Sequence, residues 1–329
     1  MSRLQRLEFQ GAIHLIRIRG RAGESLFFDA AILRAALDAR ICGWPLELQH
    51  FQRLAWGIFR ESCARLHGYV IEPDSGLFVL QTFGAPLRAI MRRVCGEYSR
   101  FVHQRHNIAT GRSAFAARYE SRIVAPGHLP HAVRRVQRSP QAAGLVSEYA
   151  DYPFSSDRVY AGQESPQAPM DTALVRRLLA RQRFTGVKGY RRFMEQPESA
   201  HVASLFNHGS PLDARIVGER GYVASVRTMA KRFRAAPSAE RIIQTVAQIT
   251  QTSVEQIRLH RSGAMGRALV AWYATRTGAA SSLAEVGRWF SVSGATLGVA
   301  IHRYHDDSQY AHLFRRSPEA LFGLDDRPT

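Results

Sequence analysis

The stretch Pro73-Asp74-Ser75-Gly76-Leu77-Phe78-Val79-Leu80 decides how this chain is read. Its second half, Leu77-Phe78-Val79-Leu80, is β-rich, and residues 76–82 read as a strand in a chain whose other patterns are mostly helical. Residues 12–18 alternate well enough to give a second strand. Between the two lie helical patterns at 30–39 and 46–66, split by Gly43-Trp44-Pro45. Another helix is expected over 86–106, where Leu87, Ile90, Met91, Val94, Tyr98, Phe101 and Val102 follow helical spacing. Strands and helices mixed in this way predict an α+β domain over roughly the first half of the chain.

Working outward, the composition points to nucleic acid. The 329 residues carry 45 Lys+Arg against 27 Asp+Glu, a formal charge of +18, and phosphate is the natural partner for such an excess. Only Lys188 and Lys231 are lysines; the rest are arginines, whose planar fork suits phosphate and guanine but equally suits ion pairs within the protein. At 45% apolar residues the chain can bury sizeable cores and has room for two or three domains. Cys42, Cys63 and Cys95 are an odd number without C-x-x-C spacing, which argues against a disulfide framework or a zinc site. No run of 18 apolar residues occurs, and residues 13–18 are interrupted by His14 and Arg17, so neither a membrane span nor a leader is expected. The expectation is a cytoplasmic, nucleoid-associated protein.

Beyond the first domain, assigned to 1–165, a seam rich in Gly, Gln, Ser and Pro covers 161–169. Residues 166–236 read as a helical connector, with its clearest helix at 172–183. Ser238 then opens a run of short helices at 240–250, 254–259, 267–277, 283–290 and 295–304. The closing pair has the form of a helix-turn-helix, which places an all-α DNA-binding domain at 237–307 and a tail at 308–329.

Several segments of the first domain resemble the REP-associated tyrosine transposases, members of the single-tyrosine HUH superfamily. They are Arg6-Leu7-Glu8-Phe9-Gln10-Gly11-Ala12 with Arg19-Gly20 and Leu26-Phe27-Phe28-Asp29, then His67-Gly68-Tyr69-Val70-Ile71-Glu72-Pro73. A closing block follows at Gly144-Leu145-Val146, Asp151-Tyr152-Pro153-Phe154-Ser155-Ser156 and Tyr160-Ala161-Gly162, with Arg215-Ile216-Val217-Gly218-Glu219 and Tyr222 downstream. The resemblance implies a ferredoxin-like, HUH-type antiparallel sheet. In that family two histidines on one strand hold a divalent metal, and a helix-borne tyrosine attacks the polarised phosphate. Here Ser75 and Leu77 stand where the histidines would be, while Tyr98 falls at the nucleophile position. His103 replaces an expected Asn and Ala116 an expected Gln. Members of a catalytic unit act non-additively, so the expectation is no metal, no cofactor and a vestigial Tyr98.

Two other readings of Tyr98 stand beside that one: a core residue in the apolar stripe with Val94 and Phe101, or a remnant DNA contact. The pairs His103/His106, His128/His131 and His302/His305 offer i,i+3 imidazoles, of which the first adjoins Tyr98. The segment between Phe28 and His67 is longer than the family's, and the helix at 46–66 is a candidate cover for the old cleft. Family members hold single strands or hairpins on a basic face; Arg17, Arg19, Arg88, Arg92 and Arg93, with Arg21, Arg100 and Arg105, are the candidates for such a face here.

The second resemblance covers about 239–305, through Ile242-Ile243, Val246-Ala247, Ser253-Val254-Glu255, residues 268–274 and Ser282-Leu283-Ala284-Glu285-Val286-Gly287-Arg288-Trp289-Phe290. It is similar to the C-terminal DNA-binding domain of the replication initiator DnaA. That implies a recognition helix over about 294–304 entering the major groove, with Ser293, Thr296 and Leu297 reading bases. Arg258, His260, Arg261 and Arg267 would serve phosphate or the minor groove, and His302 and Arg303 the backbone. Of the initiator's Asp-His-Thr-Thr reader set only Thr296 is retained, so its DNA box is not the expected target. Trp272 and Tyr273 read as core or half-buried helix residues.

Together these readings predict a non-catalytic, sequence-specific DNA-binding protein derived from a transposase, acting in transcription. It would hold double-stranded DNA through the C-terminal domain, with single-stranded or hairpin DNA as a further partner of the first. The alternatives are a single-strand nuclease or transposase using Tyr98 with a non-standard metal site, and a DNA-binding recruitment factor.

Overall fold

The computed structural model describes residues 6–21, 26–38, 45–83, 85–106, 113–116, 118–166, 169–233, 237–259, 263–277, 279–280, 282–316 and 321–322. Contacts divide the chain into two compact units, one of residues 1–83 with 90–229, the other of 84–89 with 230–329.

The first unit is built on one five-stranded sheet. Strand β1 (Ile13–Arg19) lies at its centre; helices α1 (Ala30–Leu37) and α2 (Leu46–Glu61) precede β2 (Arg65–Ile71) and β3 (Ser75–Gln81). Helix α3 (Leu87–His106), β4 (Glu120–Val124), α4 (Leu129–Ala142) and α5 (Asp157–Tyr160) follow. Helices α6 (Ala173–Arg181), α7 (Gly186–Glu195) and α8 (Ala200–His208) lead to β5 (Ile216–Val217) and α9 (Arg220–Phe233). The strand order is β2-β3-β1-β4-β5. The α+β class is as expected, and four strands are antiparallel, but β5 joins β4 in parallel. The sheet is therefore mixed rather than wholly antiparallel.

Two sequence expectations need correction here, and one strand, β4, went unread. The helix expected over 46–66 ends at Glu61, because Cys63 takes a left-handed φ of 52° and Leu66 already belongs to β2. Residues 166–236, expected as a helical connector, belong up to Met229 to the first unit and supply β5 to its sheet. The arginines of α4 make that attachment. Buried Arg134 donates to the carbonyls of Phe193 and Gln196, and Arg135 forks onto Glu198. β4 was missed because its five residues, Glu120-Ser121-Arg122-Ile123-Val124, hold too few apolar positions to announce a strand.

Register fixes what each face of the sheet meets, since directly paired residues share a face and successive residues alternate. His14, Ile16, Ile18, Gly76 and Phe78 point to one side. There α2 covers the sheet, with Phe51, Trp56 and Phe59 around Phe78. Ser75, Leu77 and Val79 point to the other side, together with Arg17 and Arg19. On that side α4 approaches so closely that a side chain at Gly68 would meet Val133 at 3.3 Å. Edge strand β2 does not present bare backbone, a liability for any sheet edge. The hydroxyls of Tyr152 and Tyr160 donate to the carbonyls of Ile71 and His67, at 2.8 and 2.6 Å, and the Tyr69 amide donates to Ser156 Oγ at 2.9 Å. The closing block of the transposase resemblance is thus the chain's edge cover.

Burial keeps His14 neutral, pulling its pKa down to about 3. An unfolded histidine titrates near 6.5. Below that pH the unfolded chain binds a proton that the folded chain refuses, so stability falls with pH by about 1.4 kcal/mol per pH unit until about pH 3. Urea unfolding at pH 7 and pH 5 is expected to show that difference shrinking by about 2 kcal/mol in His14→Gln relative to the wild type.

The second unit is helical: α10 (Ala239–Thr250), α11 (Val254–Arg258), α12 (Ala264–Thr277), α13 (Leu283–Trp289), α14 (Gly294–His305) and α15 (Ala311–Phe314). Ser238, Ser253, Ser282 and Ser293 cap four of these helices by accepting a backbone N–H three residues on. Ile242, Val246, Leu269, Val270, Tyr273, Val286 and Leu297 form the core. The stretch from 308 on is not an independent tail. Leu313, Phe314 and Phe322 are buried in that core, and Tyr273 donates its hydroxyl to the Leu313 carbonyl at 2.6 Å.

Candidate nucleic-acid interface

Tyr98 lies on one side of the sheet, and Ser75 and Leu77, the positions where the resemblance would have histidines, lie on the other. Tyr98 is fully buried among Phe27, Phe51, Phe101 and Phe115, on the side of Phe78. Its hydroxyl donates to the Leu26 carbonyl at 3.0 Å. Burial, and secondarily the Glu47 carboxylate, push that phenol well above its ordinary pKa. Ion pairs of α2 with α3, Glu47–Arg105 at 2.7 Å and Glu61–Arg93 at 2.9 Å, flank the cluster. Helix α2 therefore covers Tyr98.

On the opposite face Ser75 is buried and donates to Glu72 at 2.6 Å, and Ser139 of α4 donates to the other carboxylate oxygen at 2.6 Å. This arrangement closes the β2–β3 hairpin and ties it to α4, with both carboxylate oxygens occupied. Leu77 is half-buried beside Arg17. Among the described residues no group of three His, Cys, Asp or Glu side chains is placed to hold a metal ion. His131, of the pair His128/His131, accepts a hydrogen bond from Arg134 at 3.2 Å, and burial lowers its pKa to about 4.

The arginines proposed as one basic face are divided by the sheet. Arg17 and Arg19 project on the Leu77 side, whereas Arg92 and Arg93 are exposed on α3, whose Tyr98 packs on the Phe78 side. Arg88 is exposed in the first turn of α3. Arg93 is also engaged by Glu61 and Glu97, at 2.9 and 3.5 Å. Arg17 is the exception in having a buried Nε without a hydrogen-bond partner. Much of the chain's arginine content serves the fold: Arg122 binds the carbonyls of Phe206 and Asn207, Arg176 those of Val159 and Tyr160, and Arg215 forks onto Asp213.

In the second unit α14 presents a run of exposed side chains. Helix α13 ends at Trp289 with Phe290 as its C-cap, Ser291 takes a left-handed φ of 52°, and the Val292 amide returns to the Gly287 carbonyl at 3.0 Å. Ser293 then caps α14, accepting the Thr296 amide at 3.0 Å and sharing a hydroxyl contact with Thr296 at 2.7 Å. Two glycines allow the pair to pack. A side chain at Gly287 would collide with the Val292 carbonyl, and one at Gly294 would stand 2.8 Å from the Ala284 amide. Gly294, where the initiator resemblance would have Asp, is thus a packing requirement of this chain.

Several expected DNA contacts find different places. Leu297 is 2% exposed and belongs to the core, so it cannot read bases. Arg267 is buried and donates to the carbonyls of Ile257 and Leu259 at the end of α11, which makes it a structural arginine. Loss of hydration also holds its pKa below the usual arginine range. Arg258 is half exposed and pairs with Glu240 at 2.6 Å. His260 and Arg261 lie outside the described residues.

Ser293, Thr296, His302 and Arg303 are exposed as expected, and Ala295 joins them. So does Val299, 70% exposed, which the sequence reading missed. At about 100° per residue, Ala295, Thr296, Val299, His302 and Arg303 fall within one stripe about 120° wide, with Val299 near its middle and Leu297 on the far side. Once Leu297 is placed in the core, spacing alone sends Val299 outward.

No protein-family model and no curated protein matches the chain. A solved structure of a REP-associated tyrosine transposase bound to a REP hairpin aligns with a TM-score of 0.38 at 14% identity, over 50% of this chain and 87% of that one. Among the described residues no helix is long and apolar enough to cross a membrane.

Proposed function

We propose that this protein binds specific double-stranded DNA without cutting it, reading the major groove with α14, and that its cellular role is transcriptional regulation. The observation that carries the reading is the exposed stripe of α14, which follows a capped turn and is backed by a closed core. A helix of this kind presents side chains to base edges while its partner α13 sets its angle. The burial of Tyr98 and its separation from Leu77 and Ser75 by the sheet support a non-catalytic scaffold.

Charge is unevenly shared. Residues 237–329 hold ten arginines against eight Asp and Glu, so nearly all of the net positive charge lies before Pro237. The helical unit would supply sequence readout, and sequence-independent attraction to phosphate would come from the preceding part of the chain.

Genome-wide occupancy followed by gel shift on the enriched duplex tests the reading. Thr296→Ala is expected to lower affinity for that duplex about tenfold while leaving binding to unrelated duplex unchanged. Equal weakening on all sequences would assign Thr296 to backbone contact and remove the proposed reader. The competing reading, a tyrosine-dependent single-strand nuclease, predicts a covalent adduct with hairpin-bearing single strands in Mg²⁺ or Mn²⁺ that is lost in Tyr98→Phe.

A further inference from the structure

Val299, on the surface of α14, is the most exposed large apolar side chain among the described residues. The side chains closest to it on the helix exterior, Ala295, Thr296, His302 and Arg303, are small, polar or basic, yet the middle of the stripe carries a branched apolar side chain left 70% in water. Fold stability does not ask for it: Val299 is among the most exposed large apolar residues described, and valine is a poor helix former compared with alanine. Nor does it spread into an apolar docking patch, since on the stripe it has only the methyl groups of Ala295 and Thr296 beside it. The group it suits is correspondingly small and apolar, flanked by hydrogen-bonding atoms and phosphate. In the major groove one base offers such a group, the 5-methyl of thymine.

We infer that Val299 reads a thymine methyl in the target duplex, with Thr296 on the adjacent base edge and Arg303 toward the phosphate backbone. This rests on the proposed use of α14 as the reading helix and adds to it the identity of one base. The charge pattern of the stripe agrees with a nucleic-acid occupant. Arg303 and His302 lie on its C-terminal side and Arg288 of α13 is exposed, while Asp306, just past the helix, is held by His305 at 3.0 Å. An apolar contact beside a hydroxyl gives α14 readers for the methyl and the hydrogen-bonding groups of a base-pair edge, with the guanidinium left for phosphate.

The test separates this inference from the reading beneath it. A consensus duplex is first selected from a random pool by the intact chain, and each thymine in it is then replaced singly by deoxyuridine, which removes only the methyl. At one thymine, deoxyuridine is expected to weaken wild-type binding about fourfold, the weight of one buried methyl group. Val299→Ala should weaken binding to the unmodified duplex by a similar factor, and the two changes together should cost no more than either alone. An unchanged unfolding midpoint in Val299→Ala establishes that the loss is one of contact. If every deoxyuridine duplex binds as the parent does, or if the two losses multiply, Val299 faces something other than thymine and the inference falls while the reading stands. If no consensus is selected, or if the selected consensus is indifferent to Thr296→Ala, the reading of α14 itself falls.

Discussion

Tyr98→Ala is expected to destabilise the first unit by about 3–5 kcal/mol, whereas Tyr98→Phe should cost about 1 kcal/mol. The first change opens a cavity among Phe27, Phe51, Phe101 and Phe115, and deletion of a buried aromatic carries that cost. The second keeps the ring and loses only the hydrogen bond to the Leu26 carbonyl. A nucleophile would show the reverse pattern, with Tyr98→Phe harmless to the fold and fatal to chemistry. Urea unfolding of both variants, followed by the adduct assay on hairpin substrates, separates the two cases. A Tyr98-dependent adduct together with a small stability loss in Tyr98→Ala would overturn the core assignment.

Arg267→Ala carries the second large effect, a loss of about 3 kcal/mol in the helical unit. The guanidinium is buried and satisfies the carbonyls of Ile257 and Leu259, where α11 runs out of intrahelical donors. Removing it strands those acceptors as well as leaving a void. If Arg267 were instead a phosphate ligand, its loss would leave stability intact and reduce the salt dependence of DNA binding by roughly one counterion. Thermal unfolding and a salt titration of binding on the same variant distinguish these outcomes, and the structural assignment requires the first. Conservative replacement by lysine would not rescue it, since one ammonium cannot reproduce the guanidinium fork.

How much of this was legible in the sequence depended on period and burial. Strand β3 was readable from its continuous apolar run, helix α3 from the helical spacing of its apolar residues, and the first helix of the second unit from the capping Ser238. β4 and β5 were not, being short or polar, and their pairing is set by partners far along the chain. The face of a residue was legible only where its neighbours' faces were known. Ser75 and Leu77 were expected with Tyr98 as parts of one site, yet the pleat turns them to the other face of the sheet. Leu297 and Val299 are both apolar and two residues apart on one helix, and only the position of the core assigns one inward and the other outward. Arginines were the least legible of all. Arg134, Arg176, Arg215 and Arg267 are spent on carbonyls and carboxylates inside the fold, and nothing in their spacing separates them from Arg303.

The most direct measurement is the ratio of dissociation constants for the selected duplex and a scrambled duplex of equal length and salt, determined for the intact chain and for Thr296→Ala. Reading by α14 requires a preference of about a thousandfold or more in the intact chain, reduced about tenfold by the substitution with scrambled-duplex binding unchanged. A ratio near one in the intact chain, or one that Thr296→Ala leaves where it was, would contradict it.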